Sequence, residues 1–297
     1  MTETKEAVKF LESEMIKKER RIVLNFEGYL TLVQKEPQRM LRDIFQLFYD
    51  MVKSSVGEAF NEYPEDPESI GFLKYDCTKL FVEGADNPFF ADRLFANRFM
   101  RQMENLRQGF QQNRIYVHDG PSGCGKSTFL DNLLNIFEKY TSTREGQTYE
   151  MFWEIELNQA GGVLLQREMN KEVFERLSIS CPSHDYPMLI IPKEHRSEFL
   201  KKLLSEKMMQ EIGILREKEY EWLFRGEACT ICKSIFESLF NQVGSLERVL
   251  SMVKVRPYKF DRRLGEGINI FNPGDKPTGN IAANGQHVGS FFTNQRL

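Results

Sequence analysis

The octapeptide Gly120-Pro-Ser-Gly-Cys-Gly-Lys-Ser127 constrains this chain more than any other segment. It fits the pattern G-x-x-x-x-G-K-[ST] without departure. Glycines at these places let the backbone curl until successive N–H groups converge, and the positive end of a following helix adds to that field. Lys126 supplies a mobile cation and Ser127 a hydroxyl suited to Mg²⁺. Such a cradle takes the phosphates of ATP. Its candidate contacts are Gly120, Pro121, Ser122, Gly123, Cys124, Gly125, Lys126, Ser127 and Thr128.

The flanking residues suit the motif. Ile115–Val117 reads as the strand before the loop, and Phe129, Leu130, Leu133, Leu134, Phe137 and Tyr140 mark the buried face of a helix after it. In a chain of this length the pattern arises by chance roughly one time in a hundred. Turnover needs one feature more, a carboxylate at the end of an apolar strand. The one downstream candidate is Met151-Phe-Trp-Glu154, where Glu154 and Glu156 share a strand face; a solvated strand edge explains them equally well. The Gly-rich loop, H-R-D and D-F-G signatures of the protein-kinase fold are absent.

Around this centre the periodicity is mostly helical. Leu30, Val33, Met40, Leu41, Ile44, Phe45, Phe48, Tyr49 and Val52 recur at three- and four-residue steps, with Pro37 dividing two helices. Asn61–Ser69, with Pro64 and Pro67, reads as a connector. A helical region over 1–62 is therefore expected before a nucleotide-binding domain over 63–297. Residues 89–112 and 194–224 read as helices, Met151–Leu157 as a strand and Pro182–Pro192 as an extended, turn-rich piece. From Gly265 onward Gly, Asn, Pro and Gln dominate, and Gly274–Leu297 reads as loop.

Apolar residues at 41% are enough for a packed core, and 24 phenylalanines among 297 residues predict one rich in aromatic contacts. A net charge of −3 offers no general attraction for nucleic acid or anionic membrane. No apolar run approaches the length of a membrane span, and Met1–Arg21 lacks the apolar stretch of a signal peptide. The expected compartment is the cytoplasm.

Five cysteines without a secretory signal favour metal or free thiols over disulfides. Cys181-Pro-Ser-His184 and Cys229-Thr-Ile-Cys232 each space two soft ligands so that a tight turn presents both to one ion. Together they predict a closed, structural Zn²⁺ site at the base of a helical insertion over about 178–245. The alternative is reduced thiols, with His184 a surface residue beside Asp185. Cys124 lies within the phosphate loop and Cys77 reads as core. His118 and His195 read as incidental, and Lys193, Arg196, Arg262 and Arg263 as solvated charge.

Beyond these elements the chain resembles the PrkA-type bacterial serine protein kinases, whose N-terminal part is an AAA-type ATPase domain. The resemblance runs from about Phe26 to Pro277. It is carried by Phe26-Glu-Gly-Tyr-Leu30 with Pro37, by Tyr49-Asp50-Met51 and by the loop Gly120–Ser127. Cys181-Pro-Ser-His184 follows, with Pro187 and Ile191-Pro192, then Gly226-Glu-Ala-Cys-Thr-Ile-Cys232 and Gly265-Glu-Gly-Ile-Asn-Ile-Phe-Asn-Pro-Gly-Asp275. It implies an AAA-like α/β core, ATP and Mg²⁺ as ligands and a role in ATP-dependent phosphorylation of protein serine. A protein substrate or regulatory partner and a homo-oligomer are implied with it. Members of that family continue for several hundred residues, so the resemblance implies that this chain is either a fragment or a truncated gene product.

Overall fold

A computed structural model describes residues 8–10, 23–61, 64–65, 73–108, 115–156, 176–214 and 220–268. In chain order the elements are β1 (Leu24–Asn25), α1 (Phe26–Lys35), α2 (Pro37–Met40), α3 (Ile44–Val56), α4 (Thr78–Phe81), α5 (Arg93–Arg107) and α6 (Lys126–Thr141). Then come β2 (Thr148–Glu156), β3 (Arg176–Ser180), a 3-10 turn (Pro187–Ile190), α7 (Lys193–Leu204), α8 (Glu206–Ile212), α9 (Glu221–Arg225), α10 (Thr230–Val243), α11 (Leu246–Ser251) and β4 (Val253–Tyr258). None of the described helices is long and apolar enough to cross a membrane.

The chain forms two compact units, interleaved in sequence. One takes the described residues of Met1–Thr31, Tyr149–Ile190 and Cys229–Tyr258; the other takes those of Leu32–Thr148, Ile191–Ala228 and Lys259–Leu297. The divisions do not fall at residue 62, and most of the connector Asn61–Ser69 lies outside the described residues, as does Gly274–Leu297.

The first unit is built on a four-stranded sheet of order β1-β4-β2-β3. β1 runs antiparallel to β4 (Leu24 opposite Val255) and β2 antiparallel to β3 (Phe152 opposite Ser180). Strand β2 confirms the expected strand over Met151–Leu157, and its central residues Glu150–Trp153 are all buried. Met151, Trp153, Val253 and Val255 are fully enclosed, a composition suited to a pleated, two-sided core. Tyr29 of α1 sits with its ring 6.4 Å from that of Tyr149 and 6.3 Å from that of Tyr186.

The second unit is helical. Asp43 caps α3 in a reciprocal box with Gln46, and Gly57 ends it at φ 71°, a conformation that glycine reaches without strain. Asp92 caps α5 through its bond from the Phe95 N–H at 2.7 Å. The abundance of phenylalanine has its explanation here. Phe129, the fourth residue of α6, stands 5.1–5.7 Å from the rings of Phe81, Phe89, Phe95 and Phe99. Of these, Phe81, Phe99 and Phe129 are buried, and each contributes roughly 1.5–3 kcal/mol through the water it sheds. Buried Asn132 fixes the neighbouring loop by donating to the Phe81 and Asn87 carbonyls.

Two sequence expectations need correction. Ile115–Val117 forms no strand: the four strands of the sheet pair with one another, and Ile115 and Val117 are 91% and 81% exposed. A strand exists only through its neighbours' hydrogen bonds, and apolar alternation alone does not supply them. The described residues of 194–224 are helical as expected, divided into α7, α8 and α9; Ser205, at φ 62° and ψ 151°, separates the first two. Arg196 is not solvated charge. It is wholly buried, and its guanidinium donates to the carbonyls of Ile191, Leu223 and Gly226. Burial lowers its pKa to about 10, still leaving it charged at neutral pH.

Candidate metal centre and phosphate loop

Strand β3 delivers the chain to Cys181, and a tight turn follows, closed by the His184 N–H on the Cys181 carbonyl at 3.3 Å. His184 takes a left-handed backbone, φ 51°. The turn carries the His184 ring to Glu150, with Nδ1 and Oε2 2.5 Å apart, and brings Asp185 toward the thiols. From the other side Cys229 caps α10, its sulfur accepting from the Cys232 N–H at 3.4 Å.

Cys181, Asp185, Cys229 and Cys232 thereby offer four ligand atoms that all lie within 4.8 Å of one another. Asp185 thus stands where the sequence expectation put His184. Cys181 Sγ and Cys229 Sγ are 3.8 Å apart. Two sulfurs at about 2.3 Å from one tetrahedral Zn²⁺ lie about 3.8 Å from each other. The cluster is inside the first unit, and three of the four residues are buried.

The bonds around it orient the ligands. The Asp185 N–H donates to Cys181 Sγ at 3.2 Å, and Asp185 Oδ2 accepts from the Cys229 N–H at 2.7 Å. Asp185 Oδ1 is buried with no hydrogen-bond partner. A buried carboxylate oxygen left without a donor costs about 1–3 kcal/mol or more, and a cation at that place removes the cost. Burial, together with the adjacent Cys229, pushes the Asp185 carboxyl up to about 7. Without a metal the thiols compete for charge: hydrogen bonds with Cys181 and Cys232 favour the Cys229 thiolate, and hydrogen bonds with Cys229 and Cys232 hold the Cys181 thiol protonated. A divalent ion is what lets several of these groups ionise together.

The second candidate is the glycine-rich loop Gly120–Ser127, which belongs to the other unit. Gly123 and Gly125 have φ of 80° and 85°, left-handed values that side chains resist. Gly125 caps α6, so Lys126, Ser127 and Thr128 form the first turn of a 16-residue helix, as expected. A Cβ on Gly125 would meet the Phe89 ring at 3.1 Å. Lys126 Nζ donates to the carbonyls of Gly120 at 2.7 Å and Pro121 at 2.8 Å, and lies 3.4 Å from Cys124 Sγ. The loop residues Pro121–Cys124 and Ser127 are exposed and open to a ligand.

The remaining candidates are placed simply. Glu154 is part-buried on an interior strand, not a strand edge, with its N–H on the Met252 carbonyl and its carboxylate 3.9 Å from Lys254 Nζ. Cys77 is buried, as expected of core. His195 is exposed, and the His118 ring lies 5.3 Å from that of Phe129.

Asp185 is the one site residue that the sequence reading passed over. The signal for it was present as a third spacing, Cys181-x-x-x-Asp185, overlapping the C-x-x-H pair. No family model matches this chain, and comparison with curated proteins and with solved structures gives no match.

Proposed function

We propose that this chain is a Mg-ATP-binding P-loop domain of a PrkA-like serine protein kinase, held together in its other unit by a structural Zn²⁺. The observation that carries the nucleotide reading is the junction at Gly125. There a left-handed glycine ends the loop, and Lys126 and Ser127 open a helix long enough to direct its positive end outward. On binding, phosphate oxygens replace the Gly120 and Pro121 carbonyls as partners of Lys126 Nζ, and the exposed Ser127 hydroxyl becomes a Mg²⁺ ligand.

In this reading the 297 residues bind ATP, and serine phosphorylation belongs to the complete protein. The Glu154 carboxylate, 3.9 Å from Lys254 Nζ, favours a second reading: a nucleotide-responsive module that holds ATP without turnover. A third is an AAA-type ATPase with no kinase role. The metal is assigned as Zn²⁺ because three thiolates and a carboxylate at this spacing form a soft, closed, four-coordinate set. With every position filled by protein, the ion stabilises the fold and leaves no place for substrate.

Titration calorimetry with Mg-ATP, beside Lys126→Ala, tests the nucleotide reading. Binding in the wild type and its loss in the variant are expected; no binding in the wild type overturns it. A phosphate-release assay then separates module from ATPase. Phosphoserine on a protein substrate, abolished by the same variant in the complete protein, identifies the kinase.

A further inference from the structure

Cys181 and Cys229 lie 48 positions apart in the chain, yet their sulfurs are 3.8 Å apart, close to van der Waals contact. The three thiols of the cluster differ in access. Cys181 is 2% exposed and Cys232 is fully enclosed, whereas Cys229 is half-buried and followed by exposed Thr230 and Ile231. A small oxidant therefore meets Cys229 first. Its sulfur caps the 14-residue α10 and accepts from the Cys232 N–H at 3.4 Å, at the positive end of that helix.

We propose that the metal centre is a redox switch, in which hydrogen peroxide joins Cys181 to Cys229 as a disulfide and the metal is released. This regulation rests on the zinc reading above. Metal-bound sulfurs are held as thiolates, the form that attacks a peroxide. Cys229 Sγ attacks one peroxide oxygen: an S–O bond forms, the O–O bond breaks and hydroxide leaves. Cys181 Sγ then attacks the Cys229 sulfur of the resulting sulfenic acid: the S–S bond forms, the S–O bond breaks and a second hydroxide leaves. Two thiolates have given up two electrons, peroxide has taken them, and two protons from solvent turn the hydroxides into water.

The ligand set makes this oxidation decisive for the metal. The cluster has three sulfurs and one carboxylate, so a single disulfide consumes half of it. Cys232 and Asp185 remain, too few to hold a four-coordinate ion. The new bond also spans the junction between the turn after β3 and the first turn of α10, where Asp185 already accepts from the Cys229 N–H. A cross-link over so long a stretch restricts the unfolded chain. The oxidised, metal-free protein therefore keeps a tie that the reduced, metal-free protein lacks, and a dithiol reductant returns both thiols for reloading.

The experiment treats the zinc-loaded full chain with a small molar excess of hydrogen peroxide and follows free Zn²⁺ with a metal indicator. Remaining thiols are then alkylated, and the tryptic peptides are sequenced by tandem mass spectrometry. Cys229 and Cys232 share the peptide Gly226–Lys233, so fragmentation between them locates the link. Loss of nearly all the zinc, a Cys181–Cys229 disulfide and recovery of bound zinc with dithiothreitol and Zn²⁺ are expected. The oxidised protein is also expected to unfold at a higher temperature than reduced protein stripped by chelator. Zinc retained under peroxide, a Cys229–Cys232 link, or zinc loss with sulfinic acids in place of a disulfide overturns the switch and leaves the zinc reading intact. A purified chain without zinc, unable to take it up, overturns both.

Discussion

Asp185 accepts a hydrogen bond from the Cys229 N–H through one carboxylate oxygen at 2.7 Å, while its other oxygen is buried without a donor. The bond ties the turn after β3 to the first turn of α10, and the free oxygen belongs with three thiols. Purified protein is therefore expected to carry close to one Zn²⁺ per chain by elemental analysis. Cys232→Ser loses the metal. Asp185→Asn keeps the acceptor for Cys229 but weakens zinc affinity by about tenfold to a hundredfold, the scale on which such orienting and ligating groups act. His184→Ala leaves the metal content unchanged; loss of zinc in that variant would restore the C-x-x-H reading.

On the proposed zinc assignment, removing the metal has a measurable cost. At a free metal concentration a thousand times its dissociation constant, a site present only in the folded state adds about 4 kcal/mol. Chelation is expected to lower the unfolding temperature of the wild type, and added Zn²⁺ to restore it. Cys232→Ser should respond to neither. A wild type indifferent to chelator would leave the cluster as reduced thiols.

In the loop Gly120–Ser127, proposed to hold phosphate, Gly125→Ala sets a side chain at φ 85° and 3.1 Å from the Phe89 ring. The left-handed backbone alone costs about 1–2 kcal/mol. The expected result is a destabilised α6 and loss of Mg-ATP binding. Gly123, with nothing within 4 Å of an added Cβ, separates the two causes: Gly123→Ala carries the backbone strain without the clash. Urea titrations and calorimetry on both variants check this.

Arg196 yields a stability prediction. Arg196→Met removes the donors of three carbonyls, those of Ile191, Leu223 and Gly226, inside a wholly buried environment. A loss of about 3 kcal/mol by urea denaturation is expected, with the fold cost of the buried charge partly recovered. Arg196→Lys keeps the charge but not the fork, and falls between.

What the sequence could and could not convey follows from these same residues. The loop and α6 were legible because glycine placement and helical periodicity are local properties. The C-x-x-C pair was legible because a helix cap at Cys229 sets both sulfurs by local geometry. Asp185 was not, since only the left-handed turn at His184 decides which of two adjacent side chains faces the thiols. Ile115–Val117 misled because strand pairing is non-local. Arg196 misled because a charge counts as surface in any amphipathic pattern, while its carbonyl partners lie up to 30 residues away.

The pH dependence of stability turns on Glu150. Burial alone would raise this carboxyl, but hydrogen bonds with His184 and Arg256 outweigh it and hold it below its ordinary value of 4.5. The folded protein therefore binds this proton more weakly than the unfolded chain. Its contribution is complete above the ordinary value and is lost as pH falls through the lowered one. The wild type is expected to lose stability as pH falls through and below the ordinary carboxyl range, more steeply than Glu150→Gln. At neutral pH that variant should be less stable by about 2 kcal/mol, because Arg256, 2.7 Å from the carboxylate, keeps its charge and loses its partner. Urea midpoints across this range decide it: parallel curves for the two proteins would mean that the pair with Arg256 contributes nothing to the acid sensitivity of the fold.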